Sequence, residues 1–436
     1  MRGPRVPEKT LRVGEIPMTP VPSAVNVAIN QARLSSEIEA LASISEADPP
    51  VVTRAVFGEA DMKARAWLIA LCEKSGLSVR QDAIGNIFAR WKGSHPEAPA
   101  VGTGSHIDAI PNAGKYDGVV GVLGGLEAIR SLQEAGFRPH HSIELLVFTS
   151  EEPTRFGIGC LGSRLLSGTL APEAAQALTD KEGRPLDVVR GRAGIHGDLH
   201  AVKLPANYYK AFLELHIEQG PLLERECTPL GVVTHIAAPA SFRVIMEGSG
   251  GHAGALLMPD RRDALCAAAE LILAIENAAK TSGGIDTVAT VGLCDVFPGA
   301  INSVPSRVSL GVDVRDTDLA RRDAVLGKVS EASREISQRR QVPTRIEPLN
   351  ADAPATCAPE LVEALSRACA ARNLGFRTMI SRAYHDSLFL SRIAPTVMLF
   401  IPCRNGYSHR PDEYAAPEDI ARGALVLAET MAALSA

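Results

Sequence analysis

From about Ala24 to Ile236 the chain alternates amphipathic stretches with short apolar runs. Asp61 to Ser75 has the spacing of an amphipathic helix, Ala100 to Ser105 is a run of strand length, and the Gly-rich segment after Asp117 reads as a helix start. Ser142 to Ser150 and Ala211 to Ile217 read as further strands, the first of them containing Ile143-Glu144-Leu145-Leu146-Val147-Phe148. Such alternation predicts an α/β sheet with helices on both faces and sites at the carboxyl ends of its strands.

The rhythm changes near Pro239. Strand Ser241 to Glu247, helix Arg261 to Lys280, strands Asp286 to Phe297 and Arg307 to Arg315, the charged helix Leu319 to Arg340 and strand Val342 to Glu347 follow in turn. That β-α-β-β-α-β order is the ferredoxin-like split unit and predicts an inserted α+β domain at 238–350. The α/β character then returns with helix Ala358 to Arg372, strand Pro395 to Pro402 and a terminal helix from Pro417 to Leu434, its proline at the start. The economical description is a discontinuous domain, 24–237 and 351–436, carrying the inserted one as a lid. Residues 1–23, rich in Pro, Arg and Gly, are expected to be a flexible lead-in.

A chain of 436 residues exceeds one ordinary core, in keeping with two domains and a dry interior site. The net charge of −5, with both signs interspersed, argues against a nucleic-acid surface and for a small substrate. No apolar run approaches the length of a membrane span, and the first residues lack the apolar core of a secretory signal. The eight cysteines are scattered with no CxxC pair, which favours reduced thiols and a cytoplasmic location.

The chemistry gathers at predicted strand ends. Glu151 and Glu152 follow the apolar run in Ser150-Glu151-Glu152-Pro153. Burying two adjacent carboxylates is costly unless a cation compensates or one holds a proton, so the pair asks for a metal. With one carboxylate as ligand, the other lies near enough to move protons, which suggests metal-assisted hydrolysis. His106 and Asp108 lie two apart after the run from Ala100, a spacing at which a carboxylate can fix an imidazole tautomer. Asp117 opens the Gly-rich helix, where an Asp is ordinarily an N-cap. His216 ends the run Leu213-Glu214-Leu215, and His409 lies just past the strand ending at Pro402.

With these phrases in place the chain resembles the M20 family of di-metal amidohydrolases and peptidases. The resemblance runs from about Gly102 to His409, through Gly104-Ser105-His106-Ile107-Asp108, Asp117-Gly118, Phe148-Thr149-Ser150-Glu151-Glu152, Leu215-His216-Ile217-Glu218-Gln219-Gly220, Gly250-Gly251-His252-Ala253-Gly254 and Tyr407-Ser408-His409. It implies a mixed-sheet catalytic domain with a lid and dimerisation domain. It also implies two divalent metals: His106, Asp117 and His216 on one, Asp117, Glu152 and His409 on the other, Asp117 bridging. Glu151 would be the general base and Asp108 would orient His106. The complete ligand set argues against a metal-binding protein without turnover. Three imidazoles and two carboxylates suit Mn, Zn, Co or Ni, and the ureide-processing branch of the family favours Mn.

Within the family, the phrases around His216 and His252 look like the N-carbamoyl amidohydrolase branch, whose substrates are small ureido-carboxylates: N-carbamoyl amino acids, allantoate or ureidoglycolate. The branch implies substrate contacts from Asn302, Arg315, Gln219 and His385, and an oxyanion contact from His252 across a homodimer interface. Read from the residues alone, Arg315 has two uses, a fork for a carboxylate or an ion pair with Asp313 or Asp316. The phrase Ser381-Arg382-Ala383-Tyr384-His385-Asp386 is the sharpest discriminator. Allantoate and carbamoyl-amino-acid relatives typically carry glycine where this chain has Tyr384. A phenol there narrows a pocket and adds a hydroxyl, which favours ureidoglycolate, unless Tyr384 only packs beside the site; the resemblance to the ureide-processing branch implies a place in purine catabolism.

Overall fold

The computed structural model describes residues 26–436; the lead-in expected at 1–23 lies outside the described residues. The chain divides into two compact units. The first comprises residues up to Thr234 together with Thr356–Met379 and His385–Ala436, and the second His235–Ala355 together with Ile380–Tyr384.

The first unit is built on a nine-stranded mixed sheet. Its centre is four parallel strands in the order Thr396–Ile401, Tyr209–Ile217, Ala100–His106 and Ile143–Phe148. Nearly every residue of these strands is buried, as expected for strands covered on both faces. The sheet continues antiparallel through Ile87–Trp91 and Ser78–Gln81 on one side and Leu230–Ile236 on the other. Ile87–Trp91 and Ser78–Gln81 are short, and periodicity alone does not mark them.

Side-chain alternation divides the core. Leu145 packs toward the Gly-rich helix Val119–Glu134, beside Gly125. Leu146 and Phe148 join Phe212, Leu161 and Leu165 in an apolar cluster with the short helix Leu161–Ser167. Helix Pro417–Ser435 packs on Val119–Glu134. The close approach of Val119–Glu134 to the sheet depends on glycine: a Cβ on Gly121 would lie 2.4 Å from the carbonyl oxygen of Leu215.

The second unit is a four-stranded antiparallel sheet in the order Val288–Phe297, Arg307–Asp316, Ala238–Glu247, Thr344–Ala351. In chain order, with helices Ala264–Lys280 and Leu319–Arg340, this is the β-α-β-β-α-β arrangement. Arg307–Asp316 alternates strictly: Val308, Leu310, Val312 and Val314 join the core with Ala267, Leu271 and Ile275 of the first helix. That helix starts at Ala264, later than the expected Arg261, because Asp263 is its N-cap and accepts from the amides of Leu265 and Cys266. Among the described residues, no helix is long and apolar enough to cross a membrane.

Candidate active site

The four parallel strands of the first unit deliver their chemistry at one edge. His106 is the last residue of Ala100–His106, and the loop beyond it is held by the buried Arg54, whose Nε donates to the Ile107 carbonyl at 2.6 Å. Glu151 and Glu152 follow Ile143–Phe148, His216 is the penultimate residue of Tyr209–Ile217, and His409 lies in the loop after Thr396–Ile401. In-register pairing of His106 with Phe148, and of Phe400 with His216, brings the strand ends level.

Asp117 reaches the same place from the start of Val119–Glu134. The Val119 amide donates to the Asp117 carbonyl at 2.7 Å across Gly118, whose φ is +66° and ψ −42°. This is a γ-turn of the rare, strained hand. Gly118 is needed twice over, since a Cβ there would also lie 2.5 Å from His106 Nε2. Ser150, Cys160, Gln219 and His409 take positive φ as well, so backbone strain collects around this edge.

Asp117 is the hub. Its Oδ1 lies 3.5 Å from His106 Nε2 and 3.2 Å from His216 Nε2, and its Oδ2 lies 3.3 Å from His409 Nε2. His409 Nε2 is also 3.1 Å from Glu152 Oε1. Two groups of potential ligands result, His106-Asp117-His216 and Asp117-Glu152-His409, sharing Asp117. His106, His216 and Glu152 are buried, while His409 is exposed.

The donor set fits cations. Nδ1 of His106 faces the Asp108 carbonyl at 3.0 Å, and Nδ1 of His216 faces the Ile217 carbonyl at 3.0 Å. A carbonyl only accepts, so each Nδ1 carries its hydrogen and each neutral ring turns a bare Nε2 lone pair toward Asp117. The Gly118 amide, which donates to His216 Nε2 at 3.1 Å, agrees with that tautomer. Lone pairs facing a carboxylate call for positive charge between them. In the protein alone, protonation of the rings would supply it. The hydrogen bonds of Asp117 and then Glu152 push His409 up to about 11, and the nearby carboxylates, against the opposing effect of burial, raise His106 and His216. Burial, with Glu152 alongside and His106 opposing, raises Glu151 well above the usual carboxylate range.

Asp108 has a different part from the one its spacing suggested. Its carbonyl, rather than its carboxylate, faces His106 Nδ1, and the carboxylate stands 3.8 Å from that nitrogen. The carboxylate instead accepts the main-chain amides of Glu151 at 3.2 Å and Glu152 at 3.1 Å. Glu151 directs Oε2 toward His106 Nε2, 3.8 Å away.

Gln219 donates from Nε2 to Asp117 Oδ2 at 2.6 Å and to Ser408 Oγ at 3.2 Å, while its buried Oε1 has no partner among the described residues. His385 is buried, its ring centroid 4.5 Å from that of His216. The remaining residues expected at the substrate, His252, Asn302, Arg315 and Tyr384, belong to the second unit. His252 and Asn302 are exposed; Arg315 pairs with Asp313 at 2.7 Å and lies 5.7 Å from the Tyr384 ring centroid.

Sequence reading missed several supporting residues. Glu413 accepts the amides of Tyr116 and Asp117 at 2.8 and 3.1 Å and contacts Ser408, which in turn donates to Asp117 Oδ2. Burial and then the charge of Asp117 push Glu413 up to about 7. Glu214 accepts from Ser105 Oγ at 2.7 Å and from the Ser387 amide at 3.1 Å. A charge inside the apolar run Ala211 to Ile217 was the available signal for Glu214; Glu413, in the polar phrase Arg410-Pro411-Asp412-Glu413, offered none.

Residues 102–433 match the model of peptidase family M20/M25/M40. The chain belongs to that family. It is 50% identical over 419 residues to the ureidoglycolate hydrolase of Arabidopsis thaliana, spanning 94% of this chain and 88% of that protein. Crystal structures of AtUAH in complex with glyoxylate and with (S)-hydroxyglycine each superpose with a TM-score of 0.87 at 50% identity, covering 94% of this chain and 98% of theirs. The family is metal-dependent, in keeping with the two ligand groups, and the chain is an amidohydrolase within it.

Proposed function

We propose that this chain hydrolyses the ureido group of (S)-ureidoglycolate, releasing glyoxylate, ammonia and carbon dioxide. The observation that carries the reading is a buried carboxylate, Glu151, beside two potential ligand groups around Asp117, in a chain half identical to a ureidoglycolate hydrolase along nearly its whole length. The AtUAH complexes suggest the order of bond breaking. Water adds to the ureido carbonyl, ammonia leaves, and the resulting carbamate loses carbon dioxide to give hydroxyglycine. Loss of a second ammonia from hydroxyglycine gives glyoxylate.

His106, Asp117 and His216 would hold one divalent cation and Asp117, Glu152 and His409 a second, with manganese favoured. Bound there, the pair would lower the pKa of a shared water and polarise the ureido carbonyl. Glu151 Oε2 takes the proton from the attacking water and returns it to the departing nitrogen, a task suited to a carboxylate whose pKa burial has raised. Gln219 Oε1, buried and without a partner among the described residues, is suited to accept a ureido N–H. Asn302 and Arg315, by the family pattern, and Tyr384 and His385 beside them in the proposal, would hold the carboxylate, hydroxyl and ureido ends.

His252, in the same pattern, stabilises the oxyanion from the partner subunit of a homodimer. The edge strand Val288–Phe297 supports a dimer: it is largely exposed and presents Leu293 and Phe297, 45% and 58% exposed.

The test is ammonia release from ureidoglycolate, allantoate and N-carbamoyl amino acids side by side, with and without added manganese. Fastest release from ureidoglycolate, dependent on metal, is the expected result; a clear preference for either other substrate overturns the assignment.

A further inference from the structure

Glu151 is followed nine residues later by a side chain that touches it. The thiol of Cys160 lies 3.5 Å from Glu151 Oε1, and Cys160 is fully buried. Burial, together with the charges of Glu151 and Asp386, raises its pKa well above the ordinary thiol range, so Sγ carries a hydrogen and is the donor. The backbone aims it there. Cys160 takes the left-handed conformation, φ 56° and ψ 35°, which disfavours a side chain and persists where the surroundings impose it.

Three consecutive amides impose it: Cys160, Leu161 and Gly162 donate to the carbonyls of Glu151, Ser150 and Thr149 at 2.7, 2.9 and 2.9 Å. This clamp uses main-chain atoms alone. The thiol is therefore separable from the fold of the loop, and among the described residues its hydrogen-bond partner is a Glu151 oxygen.

We propose that Cys160 is a positioning residue for Glu151, its thiol occupying Oε1 so that Oε2 is the oxygen presented toward His106 and the reacting water. The inference rests on Glu151 acting as the base in the proposed hydrolysis. A carboxylate with two equivalent free oxygens rotates about its terminal torsion, which is broad and roughly two-fold. A donor on one oxygen removes that freedom. A thiol is a weak donor, so it orients the carboxylate while withdrawing little of the basicity that proton transfer needs. A hydroxyl at the same place would orient it equally.

The test compares wild type, Cys160→Ala and Cys160→Ser in the manganese-loaded full-length protein. Cys160→Ala is expected to lower kcat about tenfold, a fraction of what general-base catalysis contributes, with KM, metal content and Tm near wild type. Cys160→Ser is expected to recover most of that loss. A second readout needs no turnover: the infrared S–H stretch of Cys160, isolated by subtracting the Cys160→Ala spectrum, should move to higher frequency in Glu151→Gln, whose neutral amide accepts more weakly. Unchanged kcat in Cys160→Ala of an active enzyme, or an S–H band indifferent to Glu151→Gln, overturns the proposal. Absence of ureidoglycolate hydrolysis in wild type counts against the proposed function, and the infrared measurement then decides whether Cys160 positions Glu151.

Discussion

The carboxylate of Asp108 accepts the main-chain amide of Glu152 at 3.1 Å, and its other oxygen takes the amide of Glu151 at 3.2 Å. One buried side chain thus sets the heading of both members of the acidic pair, while its carbonyl fixes the tautomer of His106. Asp108→Asn replaces one acceptor with a donor aimed at an N–H, so one of the two amides is left unpaired. A loss of about 10- to 100-fold in kcat or in metal affinity is expected, the usual range for partners of metal ligands. Kinetics with metal titration would check it; wild-type values for both would show that the loop is held without Asp108.

Glu151 is buried, and among the described residues it belongs to neither ligand group built on Asp117. Glu151→Gln should therefore retain stoichiometric metal and lose turnover by about 10²- to 10⁴-fold, the span of a positioned general base. Metal analysis beside single-turnover kinetics separates the roles. Loss of metal together with activity would make Glu151 a ligand.

Gly118 stands where any side chain meets the His106 ring, in a turn that excludes L residues. Gly118→Ala should displace His106 or Asp117, lowering metal occupancy steeply and costing on the order of 1–3 kcal/mol of stability. Metal content and thermal unfolding measure the two effects. An alanine variant with full metal and an unchanged Tm would mean that the turn relaxes freely.

Much of this was legible in the sequence because apolar runs of strand length end in acidic or histidine-bearing phrases. Buried parallel strands write that pattern directly, as Ile143–Phe148 does before Glu151. What escaped was set by three-dimensional contact rather than period. Asp108 could be placed near His106, but which of its atoms faced the ring depended on the path of the loop. Glu413 and Cys160 act from positions whose neighbours in the chain give no hint of burial. The strands Ser78–Gln81, at the sheet edge, and Ile87–Trp91 beside it were overlooked because they are short, and the former is polar and mostly exposed.

In the metal-free protein His409 titrates at about 11, through its hydrogen bonds to Asp117 and Glu152, and His106 is raised as well. At pH 7 to 8 His409 therefore holds a proton that a divalent cation must displace, so metal binding releases protons and apparent affinity rises with pH. Titrating manganese into chelator-stripped protein in buffers of different ionisation enthalpy should show net proton release per ion. Proton uptake, or none, would mean that the imidazoles are already neutral without metal.

Tyr384 shares the second unit with Arg315, whose guanidinium lies 5.7 Å from its ring centroid and is paired with Asp313. If the phenol serves the substrate, Tyr384→Gly removes a hydroxyl partner and opens space at once. The loss of a substrate hydrogen bond and of packing is worth about 1–3 kcal/mol, so kcat/KM for ureidoglycolate should fall about 10- to 100-fold. Allantoate, with a second ureido arm, should gain relative to it. The ratio of kcat/KM for the two substrates is the quantity to follow, because a variant that is only destabilised lowers both together. An unchanged ratio would confine Tyr384 to packing and leave the substrate preference to Asn302, Arg315 and Gln219.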